Sequence, residues 1–177
     1  MTTRYVADTG VFVRCGGPDN EKYQRLRRAV RRAEARLLVP RRVYDELNGS
    51  VATETYGRSR WQEGFDEGWI ALADDLDYAN PVVSTVMDET RRFIASETNR
   101  DEDVIEKADT ALVALAGQLL DGGRASRVVI LTTDKPLGEA AETLLPRHGF
   151  ENRIEYRYVA SDYLDRLAPD EFRDGSR

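Results

Sequence analysis

The feature that most constrains the fold is a run of apolar residues in the second half of the chain. Residues 128–131 read Val-Val-Ile-Leu without a polar interruption, and two threonines and Asp134 follow directly. A strand that is buried on both faces has this continuous apolar character, whereas a strand with one face in water alternates apolar and polar residues. The run therefore predicts an interior strand of a parallel sheet that is covered by helices on both sides.

Further short apolar segments alternate with helical patterns along the rest of the chain. Strands are predicted at residues 4–8, 37–39, 69–73, 128–133 and 154–159. Apolar spacing and capping residues predict helices at 21–36, 41–48, around 61–65, and at 81–98, 101–120, 135–147 and 161–167. Such alternation predicts an α/β fold, a parallel sheet flanked by helices in an α/β/α arrangement. We expect a single domain over residues 1–168, with an extended helical segment at about 50–100 and a flexible polar tail at 169–177.

Composition excludes several classes of protein. The chain of 177 residues has one cysteine, Cys15, and one histidine, His148, so neither a disulfide nor a cysteine-based zinc site is predicted. Cys15 is expected to be a packing residue, and His148 to end a helix beside Gly149. No run approaches the ~20 apolar residues of a membrane span, and the first residues follow a strand pattern, not that of a signal peptide. We therefore expect a cytoplasmic protein without a membrane partner.

Positive charge is concentrated in one stretch of an acidic chain. The net charge is −6, yet residues 22–42 contain nine basic residues and one acidic residue, Glu34. This stretch is either the solvated face of an amphipathic helix or a surface that binds phosphates, for which arginine offers bidentate contacts. In the second interpretation the substrate-binding candidates are Arg28, Arg32, Arg41 and Arg42.

Four carboxylates occupy marked positions in this pattern. Asp8 and Asp134 follow the first and fourth strands, at the carboxyl ends where such sheets bind ligands. Glu46 and Asp109 lie in predicted helices. Carboxylates that converge on one pocket repel each other unless a hard divalent cation neutralises them. Because histidine and cysteine are scarce, the sequence favours Mg²⁺ or Mn²⁺ over zinc.

This donor set predicts a metal-dependent hydrolase of phosphodiester bonds. Magnesium or manganese ions about 4 Å apart can activate water and neutralise the leaving oxygen. Asp8, Glu46, Asp109 and Asp134 are the predicted metal ligands and catalytic residues. Thr9 and Thr133 are predicted to fix these carboxylates through their hydroxyl groups, and Glu106 is an additional candidate ligand. We also expect the metal-free cluster to keep at least one proton near neutral pH.

Each acid also has a purely structural interpretation. Asp8 and Asp134 can cap a following turn or helix, and Glu46 and Glu106 can be solvated surface acids. Asp109 is harder to explain in this way. It interrupts a predicted helix that is apolar around most of its circumference, where an unpaired carboxylate is costly.

The order of these segments resembles that of the PIN-domain (VapC-like) ribonucleases. The resemblance rests on four segments: Asp8-Thr9 after a strand, Pro40-x-x-Val43-x-x-Glu46-Leu47, Ala108-Asp109-Thr110-Ala111-Leu112, and Thr132-Thr133-Asp134. It implies strand order 3-2-1-4-5, Mg²⁺- or Mn²⁺-dependent cleavage of single-stranded or structured RNA, and frequent homodimers. It further implies that Asp8, Glu46, Asp109 and Asp134 form the acidic site.

Several alternatives stay open. Residues 50–100 exceed what compact toxin-type members carry, and Lys135 follows Asp134 where many members place another acid. A toxin with an antitoxin protein as partner, an RNA-processing nuclease, and a catalytically inactive RNA-binding or scaffold module are therefore all considered. An aspartic protease is disfavoured because Asp8-Thr9-Gly10 has no second copy. A haloacid-dehalogenase-like phosphatase is disfavoured because Gly10 stands where its second acid is needed.

Overall fold

A computed structural model describes residues 2–49 and 60–173. Within these residues five parallel strands form one sheet of order β3-β2-β1-β4-β5, as the family resemblance implied. The strands are β1 (Thr3–Ala7), β2 (Leu37–Val39), β3 (Ile70–Leu72), β4 (Arg127–Thr132) and β5 (Ile154–Tyr158). All five predicted strands are therefore confirmed, and β1 and β4 are neighbours at the centre of the sheet.

Helices cover both faces of the sheet. They are α1 (Thr9–Cys15), α2 (Glu21–Arg32), α3 (Arg41–Leu47), α4 (Gln62–Glu67), α5 (Pro81–Thr98), α6 (Lys107–Asp121) and α7 (Lys135–Leu144). Tyr5 and Val129 belong to the core that contains buried residues of α1, α2 and α3. Val6 and Ile130, one position further along the same strands, belong to the core beneath α5, α6 and α7. Because side chains alternate between the faces of a strand, this division gives the predicted three-layer α/β/α fold.

Three helices differ from the sequence prediction. Helix α2 ends at Arg32 and not at residue 36, and Glu34 beyond it has a left-handed φ of 54°. Helix α1 was not predicted, and it begins where the carboxylate of Asp8 accepts a hydrogen bond from the Val11 amide. Helix α6 begins at Lys107 and not near residue 101, because Ile105 and Glu106 have extended backbone angles after a short 3-10 turn at residues 102–104. Asp109 therefore lies in the first turn of α6 and does not interrupt the helix as expected.

Residues 169–173, the described part of the predicted polar tail, are docked on the domain. Phe172 is buried, and its ring packs edge-to-face on Tyr5 with 5.2 Å between centroids. A guanidinium nitrogen of Arg157 also donates to the Glu171 carbonyl at 2.6 Å. Burial of an aromatic ring outweighs the polar character of this segment. The predicted helix at 161–167 is reduced to a 3-10 turn, Leu164–Arg166. Residues 174–177 of the predicted tail, like 50–59 of the predicted helical segment, lie outside the described residues.

Cys15 and His148 occupy the structural positions that the sequence predicted for them. Cys15 is fully buried in the core, as predicted for a packing residue. His148 ends a short 3-10 helix, and Gly149 follows it with a left-handed φ of 89°. The Nε2 atom of His148 lies 2.8 Å from Oε1 of Glu89. In residues 2–49 and 60–173 no helix has both the length and the apolar character needed to cross a bilayer.

Candidate functional site

A cavity of about 250 Å³ opens at the carboxyl edge of the sheet, beside the ends of β1 and β4. These strands pair in parallel with Ala7 opposite Leu131, so the segments that follow them meet at this edge. The lining contains the four predicted acids, the additional candidate Glu106, the predicted Thr9 and Thr133, and also Gly10, Arg100 and Ala108. Four separate parts of the sequence thus contribute carboxylates to one cavity.

Asp8 is the most firmly held of these acids. Its Oδ1 accepts the Val11 amide at 3.0 Å, and its Oδ2 accepts the Thr133 amide at 3.2 Å and the Thr132 hydroxyl. The hydroxyl that fixes Asp8 therefore comes from Thr132, and Thr133 contributes its backbone amide. An ionised carboxyl group offers about four acceptor positions, so three hydrogen bonds leave capacity for one further ligand.

Asp134, at the start of α7, and Glu46, on α3, are also oriented by hydrogen bonds. Asp134 is the N-cap of α7, and its Oδ1 lies 3.5 Å from the Leu137 amide. The same residue lines the cavity, so its capping role does not remove it from the candidate site. Glu46 lies on α3, and its Oε2 accepts a hydrogen bond from the hydroxyl of Thr9. The hydroxyl of Thr132 accepts the Asp134 amide at 2.9 Å and so connects two of the acids.

Asp109 carries the largest electrostatic perturbation in the cavity. Burial, followed by the nearby charges of Asp134, Glu106, Asp8 and Glu46, raises the pKa of Asp109 to about 7. Burial also raises the pKa of Asp8, against the opposing effect of its hydrogen bonds. A carboxyl group whose pKa is near 7 keeps its proton through much of the neutral range. The cavity is therefore a place where additional positive charge is favourable.

Arg100 is a site residue that the sequence analysis did not find. Among the described residues it is the one basic side chain in the lining, and none of its nitrogens forms an ion pair with the acids there. Its Nε donates to the Thr98 hydroxyl at 3.0 Å. Asn99, with a left-handed φ of 50°, ends α5 and turns the chain there. The sequence indicated this break but gave no reason to select the arginine.

The chemistry of the donor set fits a hard, hydrated divalent cation. All five acids of the cavity offer oxygen ligands, which Mg²⁺ and Mn²⁺ prefer. In residues 2–49 and 60–173 no three His, Cys, Asp or Glu side chains are close enough together to hold a bare ion. Mg²⁺ usually keeps several waters and binds directly to one or two carboxylates, so spaced acids around a roomy cavity match it better than a tight cage would. The residues that would hold the ion are Asp8, Glu46, Asp109 and Asp134.

The basic stretch is only partly free of internal partners. Arg27 and Arg31 both form ion pairs with Glu67 of α4, so they already have a partner within the protein. Arg28 and Arg32 are exposed on α2 but do not line the acidic cavity. Two further candidates of this stretch line a second cavity: Arg41 and Arg42.

The sheet and its acidic cavity define an α/β/α protein with a candidate hydrolytic site at the carboxyl edge. The chain matches the family model described as Halobacterial PIN domain over residues 1–172, and it belongs to the PIN-domain family. This assignment confirms the resemblance and the fold class, and it identifies the fold as a nuclease type. Searches of curated proteins and of solved structures gave no match.

Proposed function

We propose that the protein is a Mg²⁺- or Mn²⁺-dependent ribonuclease that hydrolyses phosphodiester bonds in the acidic cavity. The observation that carries the proposal is the convergence of Asp8, Glu46, Asp109 and Asp134 on one cavity of a PIN domain. Burial, together with the mutual repulsion of these acids, raises the pKa of Asp109 to about 7. A divalent cation that binds in the cavity relieves the repulsion.

The residues of the cavity have distinct tasks in this proposal. A divalent cation supplies a Lewis acid for the phosphate and lowers the pKa of water. Asp8 is oriented by three hydrogen bonds and so offers a ligand in a fixed direction. Asp109 must lose its proton before it can act as a ligand, which makes cation binding dependent on pH. Glu46 is oriented by Thr9 and completes the set with Asp134.

Arg100 gives the same cavity a positive group for the substrate. Its guanidinium forms no ion pair within the described residues, although it lines a cavity with five carboxylates. Arginine binds phosphate oxygens through charge-assisted hydrogen bonds. Arg100 therefore contacts the substrate phosphate and offsets the repulsion that the acids impose on it.

The test is cleavage of defined transfer, ribosomal and messenger RNAs by the purified protein. Activity is expected with Mn²⁺ and is expected to stop when a chelator is added. Asp8→Asn and Asp134→Asn should each lower the rate by ~100-fold or more, since even partners of metal ligands typically contribute 10- to 100-fold. Asparagine is as good an N-cap as aspartate, so both variants should keep helices α1 and α7.

Asp45→Asn is the matched control, because Asp45 is an exposed acid beside Glu46 that does not line the cavity. It should cleave like the unmodified protein, and thermal unfolding should show that all three variants are folded. Full activity in Asp8→Asn or Asp134→Asn would reject the assignment. RNA binding without metal-dependent cleavage would instead identify the inactive RNA-binding module considered from the sequence. An antitoxin partner and a homodimer remain predictions that co-purification and solution mass measurements can test.

A further inference from the structure

A second cavity of about 240 Å³ lies at the same edge of the sheet, behind the ends of β2 and β3. Pro40 follows β2 directly, and Asp74 and Asp75 follow β3 after one residue. We propose that this second cavity binds an unpaired nucleotide of the RNA next to the bond that is cleaved, with Arg42 on its phosphate and Tyr78 stacked on its base. The inference rests on the proposed function in taking RNA as the ligand.

Two helices connect the second cavity to the acidic one. On α3, Arg42 lines the second cavity and Glu46, four residues later, lines the first. On α6, Ala108 lines the first cavity and Ala111, three residues later, lines the second. Residues three or four apart lie on one helix face about 5–6 Å from each other. The cavities are therefore separated by about one helical turn, a step that adjacent nucleotides of one strand can span.

Arg42 is the free positive charge of the second cavity. Each of the two acids in the lining has an arginine partner, since Asp75 pairs with Arg41 at 3.5 Å and Asp74 pairs with Arg124. Arg42 is exposed and makes no ion pair or hydrogen bond to any residue that the structure describes. A phosphate at this cavity would meet an unused guanidinium and two acids whose charge is already offset.

Tyr78 provides an exposed aromatic ring on a loop whose backbone is held in place. It is 63% exposed, although it lines a cavity. Its loop is held on α6 by Gln118, which accepts the Asp77 amide at 2.7 Å and donates to the Asp75 carbonyl at 3.1 Å. The side chain of Asn80 also donates to Asp121 at 3.0 Å. These bonds order the backbone while the ring stays in water, so the loop backbone loses little conformational freedom when a base stacks on the ring.

The chemistry of this pair selects unpaired nucleotides. Proteins recognise single-stranded RNA by stacking its bases on aromatic rings, whereas the bases of a duplex are already stacked and paired. Arg42, which has no partner in the described part of the chain, supplies a phosphate contact that does not depend on sequence. The second cavity therefore directs unpaired RNA, and not duplex RNA, into the acidic cavity.

The experiment compares Tyr78→Ala, Tyr78→Phe and Arg42→Gln, with Arg92→Gln as the control for loss of an exposed arginine outside both cavities. Binding of a labelled oligoadenylate and of an RNA duplex of equal length is measured by fluorescence anisotropy in chelator, and cleavage is measured with Mn²⁺.

Tyr78→Ala should weaken oligoadenylate binding roughly 5- to 150-fold, which corresponds to 1–3 kcal/mol of stacking, and leave duplex binding unchanged. Tyr78→Phe should bind as the unmodified protein does. Arg42→Gln should reduce the salt slope for the oligoadenylate by about 0.7, whereas Arg92→Gln should not.

The outcomes separate this inference from the proposed function. Unchanged oligoadenylate binding in Tyr78→Ala, or an equal loss for the duplex, would overturn the second-cavity assignment even if the protein cleaves RNA. Tyr78-dependent binding without cleavage in Mn²⁺ would support the assignment and reject the nuclease proposal. An equal change of salt slope in Arg42→Gln and Arg92→Gln would overturn the role of Arg42.

Discussion

At the scale of single residues, one hydroxyl group organises the candidate site. Thr132 is fully buried at the end of β4, and its hydroxyl donates to Asp8 while it accepts the Asp134 amide. The same side chain therefore orients one acid and fixes the backbone that carries another. Partners of this kind decide the direction in which a ligand points, and their loss typically lowers metal affinity or activity 10- to 100-fold.

Thr132→Val tests this arrangement, since valine keeps the shape of threonine and removes the hydroxyl. We expect the Mn²⁺ affinity and the cleavage rate to fall by about 10- to 100-fold. The free energy of unfolding should fall by about 1–3 kcal/mol, because the Asp134 amide and one oxygen of Asp8 lose a buried partner. Isothermal titration with Mn²⁺, RNA cleavage and denaturant unfolding measure the three quantities.

Thr90→Val is the matched control, because Thr90 is also fully buried but its hydroxyl has no hydrogen-bond partner among the described residues. Replacing an unsatisfied buried hydroxyl should leave stability equal or slightly higher, and activity should not change. Equal losses of Mn²⁺ affinity in the two variants would show that the Thr132 hydroxyl has no special role.

The sequence located the acids better than it located their partners. Asp8 and Asp134 could be selected because strand ends are visible in the apolar pattern, and parallel strands share one carboxyl edge. The choice between Thr132 and Thr133 depends on how the chain turns after β4, which periodicity does not show. Arg100 could not be selected, because it lies in the connection between α5 and α6. The path of that connection brings it to the acids, and the sequence pattern does not show this path.

At the scale of elements, sequence patterns found the strands, the long helices and the starts of α3 and α7, but they missed α1 and the start of α6. Helix α1 has seven residues, too few for a helical period to be distinguished from an extended apolar segment. The predicted start of α6 was early because the acidic residues 101–103 resemble a helix N-terminus. In the structure Glu106 is the N-cap, and Asp109 consequently lies in the first turn, beside the cavity.

The packing of α7 on β5 gives a prediction at this scale. A Cβ atom at Gly138 would overlap the ring of Tyr156, and the ring is held by the sheet. Gly138→Ala should therefore destabilise the protein by about 1–3 kcal/mol, the usual cost of overpacking. For a chain of this size that corresponds to a decrease in melting temperature of roughly 2–10 °C in calorimetry.

Gly117→Ala in α6 is the corresponding control. A Cβ there would meet Leu145 Cδ2 at 3.2 Å and Val82 Cγ1 at 3.5 Å, both at the ends of side chains that can shift. Alanine is favoured over glycine inside a helix by about 1 kcal/mol, so stability should stay within about 1 kcal/mol of the unmodified protein. A larger loss for Gly117→Ala than for Gly138→Ala would contradict this account of the packing.

At the scale of the whole molecule, the acidic cavity links folding to pH. The folded protein binds the Asp109 proton more tightly than the unfolded chain does, because the pKa of Asp109 is raised from 3.8 to about 7. The corresponding stability is fully present below about pH 4 and is lost as the pH rises through about 7. Asp109 should therefore contribute least to the stability of the metal-free protein under alkaline conditions, where a cation binds best.

Cation binding should reverse this trend, and thermal unfolding at two pH values tests it. At pH 8 a Mn²⁺ concentration of 100 times the dissociation constant adds about 2.7 kcal/mol, or roughly 5–10 °C. At pH 5.5 the cation must displace the Asp109 proton, which weakens Mn²⁺ binding about 30-fold. At the same Mn²⁺ concentration the increase in melting temperature is then only roughly 2–4 °C. Asp109→Asn has no such proton, so its smaller shift should vary less with pH, whereas Asp45→Asn should behave as the unmodified protein. A Mn²⁺ shift of equal size at both pH values in the unmodified protein would show that the Asp109 proton does not compete with the cation.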